Sequence, residues 1–299
     1  MKPRANFQGV SPVLMSSSCD VLASNSAIPD SGQLTYPFRK AVLIEEIRWT
    51  MRTSSGNENQ NLGALVSVKM QLGQRYLTRD SVPVWLFGTR LSWLDEQHTS
   101  ALLATPQSFS RYRWRLPEPL YVEAGQVLSS VFSRGADVLS SINVQVTYVG
   151  RTVSPDQPRP RVVAIPYVAP FVSTAGLTYE QSNEFDLLNP FDIPLRIQRL
   201  TGRVLQQTEV TTNVYKIIEV LSLTPAVAGG GVTILMNDSW GGKMVNDRTG
   251  PSDIFDCLRA AWTVDTMMPP KGIYEARIWN MDTSQRVHIA MIGTREETL

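Results

Sequence analysis

Cysteine and histidine are almost missing from this 299-residue chain, which has only Cys19, Cys257, His98 and His288. Two thiols cannot build a disulfide framework or a zinc site, and both are read as free. Two imidazoles are too few to give each half of the chain a histidine-based metal centre. Lysine is also scarce, at six residues, and charged side chains make up only 18% of the sequence. The 28 basic and 27 acidic residues nearly cancel, so no net field favours nucleic acid or an anionic membrane. No apolar run approaches the roughly 20 residues a bilayer span requires. The first residues, MKPRANFQGVSPVLMSSSC, hold no continuous apolar core, so no signal peptide is expected.

Apolar residues, at 42%, suffice for a globular core, and Ser, Thr, Asn and Gln are plentiful, as suits sheets with uncharged polar faces. The length favours two domains. A worn internal repeat supports that division. YPFRKAVLIEEIRW (36–49) answers to NPFDIPLRIQRLTGRV (189–204), sharing Pro-Phe before a strand. LTRDSVPVWLFG answers to LMNDSWGG through Asp80-Ser81 and Asp238-Ser239. RYRWRLPEPLYVEAGQVL answers to RAAWTVDTMMPPKGIYEA through Arg111/Trp114 and Arg259/Trp262, each pair running on to a glycine, Gly125 or Gly272. VTYVGRT answers to IAMIGTR, with Gly150 and Gly293 each expected to end a strand. The order is the same in both halves and the offset drifts from 153 to 158, 148 and 143. That drift is expected when loops vary and elements do not, and a period this long means duplicated domains.

The elements read as strands. ALVSVKMQL sets Ala64, Val66, Val68, Met70 and Leu72 on one face; SINVQVTYV does so with Ile142, Val144, Val146 and Tyr148. Strict alternation predicts antiparallel strands with one buried face. One helix is predicted in PSDIFDCLRAAW, where Ser252 can cap and Ile254, Cys257, Leu258 and Ala261 share a helical face. A shorter one is expected in TSALLATPQSF, broken at Pro106. Four prolines in RTVSPDQPRPRVVAIP suit a connector. The expected division is an N-terminal arm over 1–29, a first domain over 30–152, a linker over 153–165 and a second domain over 166–299. The arm is read as detached, so that removing residues 1–25 would affect assembly more than stability.

All-β domains of this size with many short strands are sandwiches or barrels. Two of them in tandem, each with a short helix before a late strand and a Pro-rich link between, resemble the double jelly-roll major capsid proteins of tailless, membrane-containing bacteriophages of the tectivirus and corticovirus type. The resemblance implies two antiparallel jelly rolls, a pseudo-hexagonal homotrimer and an icosahedral shell. It further implies a virion protein assembled in the host cytoplasm, with other virion proteins as partners and the internal membrane reached through the arm.

No residues are assigned to catalysis, cofactor or metal binding. Asp80-Ser81 and Asp238-Ser239 lack a paired histidine and read as turns at strand ends. Glu45 and Glu46, adjacent on a strand, are expected on opposite faces and so form no acid/base pair. His288, between Val287 and Ile289, is read as a structural or surface histidine on the more polar face of a strand. AGGGVTIL lacks the Gly-Lys-Ser/Thr of a phosphate loop and reads as a hairpin, and the Asn237-Asp238-Ser239 sequon matters only in a secreted protein. Trp114 and Trp262 are expected to close the ends of the two barrels. Trp85 and Trp93, with Phe87, leave a second function open: a β-sandwich binding module, such as a spike or carbohydrate-binding protein, with tryptophan platforms. A two-domain β-sandwich hydrolase is the third, without a convergent acid, base or nucleophile to support it. Self-assembly without enzyme activity and without specific nucleic-acid binding is the reading favoured.

Overall fold

The computed structural model describes residues 12–21, 34–35, 40–53, 62–87, 89–90, 109–134, 142–154, 158–172, 182–206, 213–223, 232–243, 255–279 and 285–299. Strands of the first half are β1 (Pro12–Val21), β2 (Leu34–Thr35), β3 (Val42–Thr53), β4 (Val66–Leu72), β5 (Arg75–Tyr76), β6 (Val82–Pro83), β7 (Thr89–Arg90), β8 (Phe109–Val122), β9 (Val127–Arg134) and β10 (Ile142–Thr152). Those of the second are β11 (Val162–Val172), β12 (Ser182–Leu188), β13 (Leu195–Gln206), β14 (Asn213–Leu223), β15 (Val232–Lys243), β16 (Phe255–Met268), β17 (Ile273–Trp279) and β18 (Gln285–Thr298). A four-residue helical turn, Leu62–Leu65, and a 3-10 turn, Val84–Leu86, interrupt the first half.

The second half folds as two sheets, β11-β18-β13-β16 and β12-β17-β14-β15. The first half repeats that order as β1-β10-β3-β8, extended by β7, and β2-β9-β4-β5. In each, the first and last strands are neighbours and the connections cross between sheets, which is the double Greek key of a jelly roll. The chain is therefore two tandem antiparallel jelly rolls.

Several expectations are corrected by this order. Residues 12–21 do not hang free: β1 pairs with β10 along its length, from Pro12 opposite Arg151 to Val21 opposite Ile142. It is the first strand of the first jelly roll, so removing residues 1–25 would strip an edge strand from a sheet. Strand β11 begins at Val162, inside the expected linker, because its pairing with β18 starts there at Thr298. The helix expected around 254–261 is strand β16, bonded to β13 through Gly202–Ala260 and Leu200–Trp262. A helical apolar spacing over so short a stretch cannot compete with a ladder of tertiary hydrogen bonds along a long partner. The other expected helix, near Pro106, lies outside the described residues. Ala64 belongs to the helical turn, so the alternating strand starts at Val66.

The duplication appears in the register itself. In the first sheet, Glu45 is an extra residue on β3: Ile44 pairs with Gly150 and Glu46 with Val149. In the second half Gln198 is extra on β13, between Ile197 opposite Gly293 and Arg199 opposite Ile292. Trp114 pairs with Ile47 and Trp262 with Leu200, each three residues beyond the paired isoleucine. Thus Trp114 corresponds to Trp262 and Gly150 to Gly293. Neither glycine ends its strand; both lie opposite a bulge, where the chains approach closely. A Cβ on Gly150 would lie 2.0 Å from the Leu43 carbonyl oxygen, and one on Gly293 would lie 2.6 Å from that of Arg196.

Inward positions of both sheets fill the first barrel. Val66, Val68, Met70 and Leu72 face Ile44, Ile47, Val144 and Val146 across it, all buried. Trp114 is in the middle of this core rather than at its end, 6.5 Å from Trp49 and 4.8 Å from Phe87 between ring centroids. Ser130 on β9 and Tyr148 on β10 join the two sheets by a buried 3.0 Å hydrogen bond. Burial pushes the Tyr148 phenol up to about 12, against the opposing effect of Ser130.

Two predictions arise here. Gly150→Ala forces backbone apart in a packed sheet and is expected to destabilise by about 2 kcal/mol or more. Gly73→Asn, at a φ of +57° with open space around it, should cost under about 1 kcal/mol; urea midpoints of the two variants check both. The second concerns alkali. The folded state holds the Tyr148 proton above its ordinary 10.0, so that stabilisation is whole below pH 10 and is lost as pH rises through about 12. Tyr148→Phe should flatten this part of the stability profile, measured by denaturant unfolding between pH 9 and pH 12.

Candidate functional site

The most chemically varied assembly among the described residues is the junction where the second jelly roll meets the first. Its second-roll side is the sheet carrying β11, β18 and β13. On β18 every residue from His288 to Arg295 is buried, which one-sided burial of a strand cannot produce. Ile289 and Met291 occupy one face; Ala290 and Ile292 turn the other way and join the first barrel's apolar cluster, as does Val168.

The first-roll side is the segment 75–87 between β5 and β7. Its apolar run Val82–Phe87 is wholly buried. The Trp85 indole Nε1 donates to His288 Nδ1 at 3.0 Å, and the rings meet edge to face at 5.3 Å. The Thr201 hydroxyl on β13 donates to the Leu86 carbonyl at 3.0 Å. Backbone joins backbone too: Arg79 N–H donates to the Val168 carbonyl at 3.0 Å, and Val168 N–H to that of Leu77 at 2.9 Å. Thr78 is fixed within its own roll by accepting the Met70 N–H at 3.0 Å.

A buried charge closes one end. Arg295 is 1% exposed, with its guanidinium 3.9 Å over the Phe191 ring. It donates to Glu297 at 2.6 Å and to the Tyr76 carbonyl at 3.0 Å. Glu297 also pairs with Arg75 of the first roll at 2.8 Å. Burial lowers the Arg295 pKa, and the Glu297 carboxylate acts against that shift. Arginine keeps its charge throughout, so this is a paired, hydrogen-bonded cation and not a proton donor.

The residues singled out in the sequence are dispersed. Trp85 is fully buried, so it offers no platform to a sugar; Trp93 and His98 lie outside the described residues. His288 is buried in the junction rather than on a polar face. Asp80 and Ser81 are exposed in a turn, Asp80 within 3.7 Å of Arg79. Asp238 and Ser239 fall inside β15, opposite Ile218 and Ile217, and not at a strand end. AGGGVTIL leads into β15, which pairs antiparallel with β14 as a hairpin; residues 224–231 are outside the described set. Cys19 and Cys257 belong to different sheets.

Glu45 and Glu46 do share a face, contrary to strict alternation, because the bulge inserts both between inward-pointing Ile44 and Ile47. Glu45 pairs with Arg151 at 3.1 Å, while Glu46 pairs with Arg48 and lies 3.6 Å from Arg115 and 4.0 Å from Arg113. The group is an electrostatic clasp on the outer face of the sheet. No cluster of three or more His, Cys, Asp or Glu suited to a metal occurs among the described residues.

The junction escaped sequence reasoning because its partners are far apart in the chain, 115 residues for Thr201 and Leu86, 203 for Trp85 and His288 and 219 for Arg295 and Tyr76. Two signals were present: the unbroken apolar run Val82–Phe87 beside the Asp80-Ser81 turn, and the loss of alternation in HIAMI, which marks burial on both faces.

No family model matches the chain, and no curated protein matches it. Solved structures do. The crystal structure of the STIV MCP superposes with a TM-score of 0.54 at 12% identity, over 96% of this chain and 97% of that one. The PBCV-1 virus capsid gives 0.47 at 9% identity over 99% and 96%, and the Sputnik virophage structure 0.36 at 10% over 97% and 86%. The first of these likenesses spans both jelly rolls and shows a shared fold.

The junction generates its own test. Trp85→Phe keeps most of the packing but removes the donor to His288, and should cost about 1 kcal/mol. Trp85→Ala also leaves a cavity and should cost about 3–5 kcal/mol. Calorimetry should show the single unfolding transition of the parent split or broaden in Trp85→Ala, since the damage falls between the two rolls.

Proposed function

We propose that this protein is a structural virion protein, a major capsid protein that assembles into an icosahedral shell. The observation that carries the reading is the duplicated jelly roll fused at a buried junction, in the fold of the STIV MCP over nearly the full length of both chains. Two similar lobes rigidly joined make a brick, and three such bricks make a tile with six similar lobes. The reading assigns a homotrimer, each subunit burying more than about 2,000 Å² as obligate interfaces do. It assigns the work to assembly, with no reaction to catalyse and no cofactor.

The domain division that goes with this reading runs from β1 to β10 for the first jelly roll and from β11 to β18 for the second, with a proline-bearing connector between. A virus of the tailless, membrane-containing kind, with other virion proteins and the internal membrane as neighbours, is the finer form of the proposal. Near-neutral net charge supports it, since identical copies then pack without strong mutual repulsion. Burial of Trp85 weighs against the glycan-binding alternative.

Analytical ultracentrifugation and electron microscopy of the expressed protein provide the test. Trimers are expected at micromolar concentration, with closed particles or hexagonal sheets as concentration rises. A monomer at high micromolar concentration would overturn the capsid reading.

A further inference from the structure

The duplication offers a control for what the fold itself requires. Features that hold the sheet together occur in both halves: the bulge, the glycine facing it, and Trp114 with Trp262. Even the contact beside the bulge recurs. Glu45 pairs with Arg151 at 3.1 Å, and at the same places in the second roll the Thr294 hydroxyl donates to Gln198 Oε1 at 2.8 Å. One constellation has no counterpart. In the first roll the register sets Arg48 opposite Arg113 and Glu46 opposite Arg115. The matching pairs in the second are Thr201 with Ala261 and Arg199 with Thr263. Three arginines about one carboxylate are therefore peculiar to the first roll, and the second is built without them.

Arg48 and Arg113 stand directly opposite on adjacent strands, and like charges so placed destabilise a sheet. Glu46 offsets this only in part. Its Oε1 accepts from Arg48 Nε, while Oε2 lies 3.6 Å from Arg115 Nε and 4.0 Å from Arg113 Nε, both beyond hydrogen-bond reach. Arg113 Nε is sealed from solvent with no hydrogen-bond partner among the described residues. Arg115 keeps 73% of its side chain exposed. Three guanidiniums less one carboxylate leave two positive charges, and arginine does not shed its proton to relieve them. The face is also open here. Arg48 is half-buried, whereas Thr201, at the same place in the second roll, is buried against the Leu86 carbonyl.

We propose that Arg48, Arg113 and Arg115 bind a dianionic phosphate group, as inorganic phosphate or a phosphomonoester, on the outer face of the first jelly roll. Charge and geometry choose this class. A phosphomonoester carries close to two negative charges at neutral pH and three acceptor oxygens, one for each guanidinium. A carboxylate offers one charge and two oxygens, and a phosphodiester of a nucleic acid or a lipid offers one charge. Guanidinium forks match phosphate oxygens bidentately, which suits arginine to the task better than lysine. Glu46 is the least exposed of the four side chains and fixes Arg48. It also limits affinity, because its charge opposes the ligand's. The site belongs to the first roll alone and does not depend on the capsid reading.

Calorimetric titration of the full chain in chloride buffer tests this, with inorganic phosphate, phenyl phosphate and dimethyl phosphate as probes. Inorganic phosphate should bind saturably at one site per chain. Phenyl phosphate binding equally well marks a phosphate carried on a larger molecule as the ligand; binding of inorganic phosphate alone marks the free ion. Dimethyl phosphate, a monoanion, should bind about 10-fold more weakly or worse. Affinity for phenyl phosphate should fall as pH drops through its second ionisation near about pH 6, since the arginines keep their charge. Arg115→Gln should weaken phosphate binding about 10-fold or more. Arg52→Gln, at an exposed arginine on the same strand as Arg48, should change it less than about 2-fold, since a screened surface charge outside the site contributes little. Glu46→Gln should tighten binding about 10-fold, the reverse of what a carboxylate with only a structural role would give. Should Glu46→Gln fail to fold, the contrast between Arg115→Gln and Arg52→Gln decides, because both positions are exposed. Absence of saturable phosphate binding, equal effects of Arg115→Gln and Arg52→Gln, weaker binding in folded Glu46→Gln, or dimethyl phosphate binding as tightly as phosphate overturns the site.

Discussion

Strand β18 is buried on both faces from His288 to Arg295, and the architecture depends on that. A jelly-roll sheet ordinarily hides one side and wets the other. Here Ile289 and Met291 serve the second barrel while Ala290 and Ile292 serve the first. Exposed alone, that outer face would be an apolar patch of the kind isolated domains avoid. The two rolls are therefore bound by the hydrophobic effect as well as by the connector. Several polar groups trapped there are satisfied pairwise, Trp85 with His288, Thr201 with Leu86, Val168 with Leu77 and Arg79, while the buried Tyr167 hydroxyl has no hydrogen-bond partner among the described residues.

Arg295 shows how costly such a junction is and how the cost is met. Taking a guanidinium out of water requires partners at nearly every donor, since an unpaired buried charge is worth several kcal/mol of instability. Glu297 and the Tyr76 carbonyl accept from two of its nitrogens and the Phe191 ring covers one face, and Glu297 is itself tied to Arg75 across the junction. The result fixes one roll against the other at a definite angle, since the hydrogen bonds tolerate little sliding. A rigid two-lobed brick is what the proposed shell role would require; a hinge between lobes would blur the angle at which copies would meet.

Duplication left a geometric trace that divergence could not erase. The apolar residues of the two halves have changed almost everywhere, yet a glycine stands at 150 and at 293 because a bulge in the neighbouring strand brings a carbonyl oxygen to where Cβ would be. The same bulge explains why Glu45 and Glu46 share a face. One extra residue shifts the alternation by one and delivers a second carboxylate to the arginines outside the sheet. Strand β8 answers with its own excursion, Leu116 to Pro119, opposite that point, and β16 does so at Val264 and Asp265. There Asp265 takes a φ of +47° and pairs with Arg196 at 2.7 Å.

The sequence alone determined that this is an all-β protein built twice. Alternation along β4 and β10 is a local property, set by the two-residue period of a strand, and the repeated Arg-x-x-Trp and glycine landmarks keep their order without reference to any fold. It also holds only two histidines, His98 and His288, which leaves few imidazoles to pair with a nucleophile. Tertiary structure decided the rest. Residues 255–268 became a strand because β13 lay beside them, and residues 12–21 joined the barrel because β10 offered an open edge. Trp85 became a buried clasp because His288, 203 positions away, met it across the junction. Each of these outcomes is a long-range pairing, whose energy appears only when distant segments meet; local propensity, worth a few tenths of a kcal/mol per residue, cannot announce it.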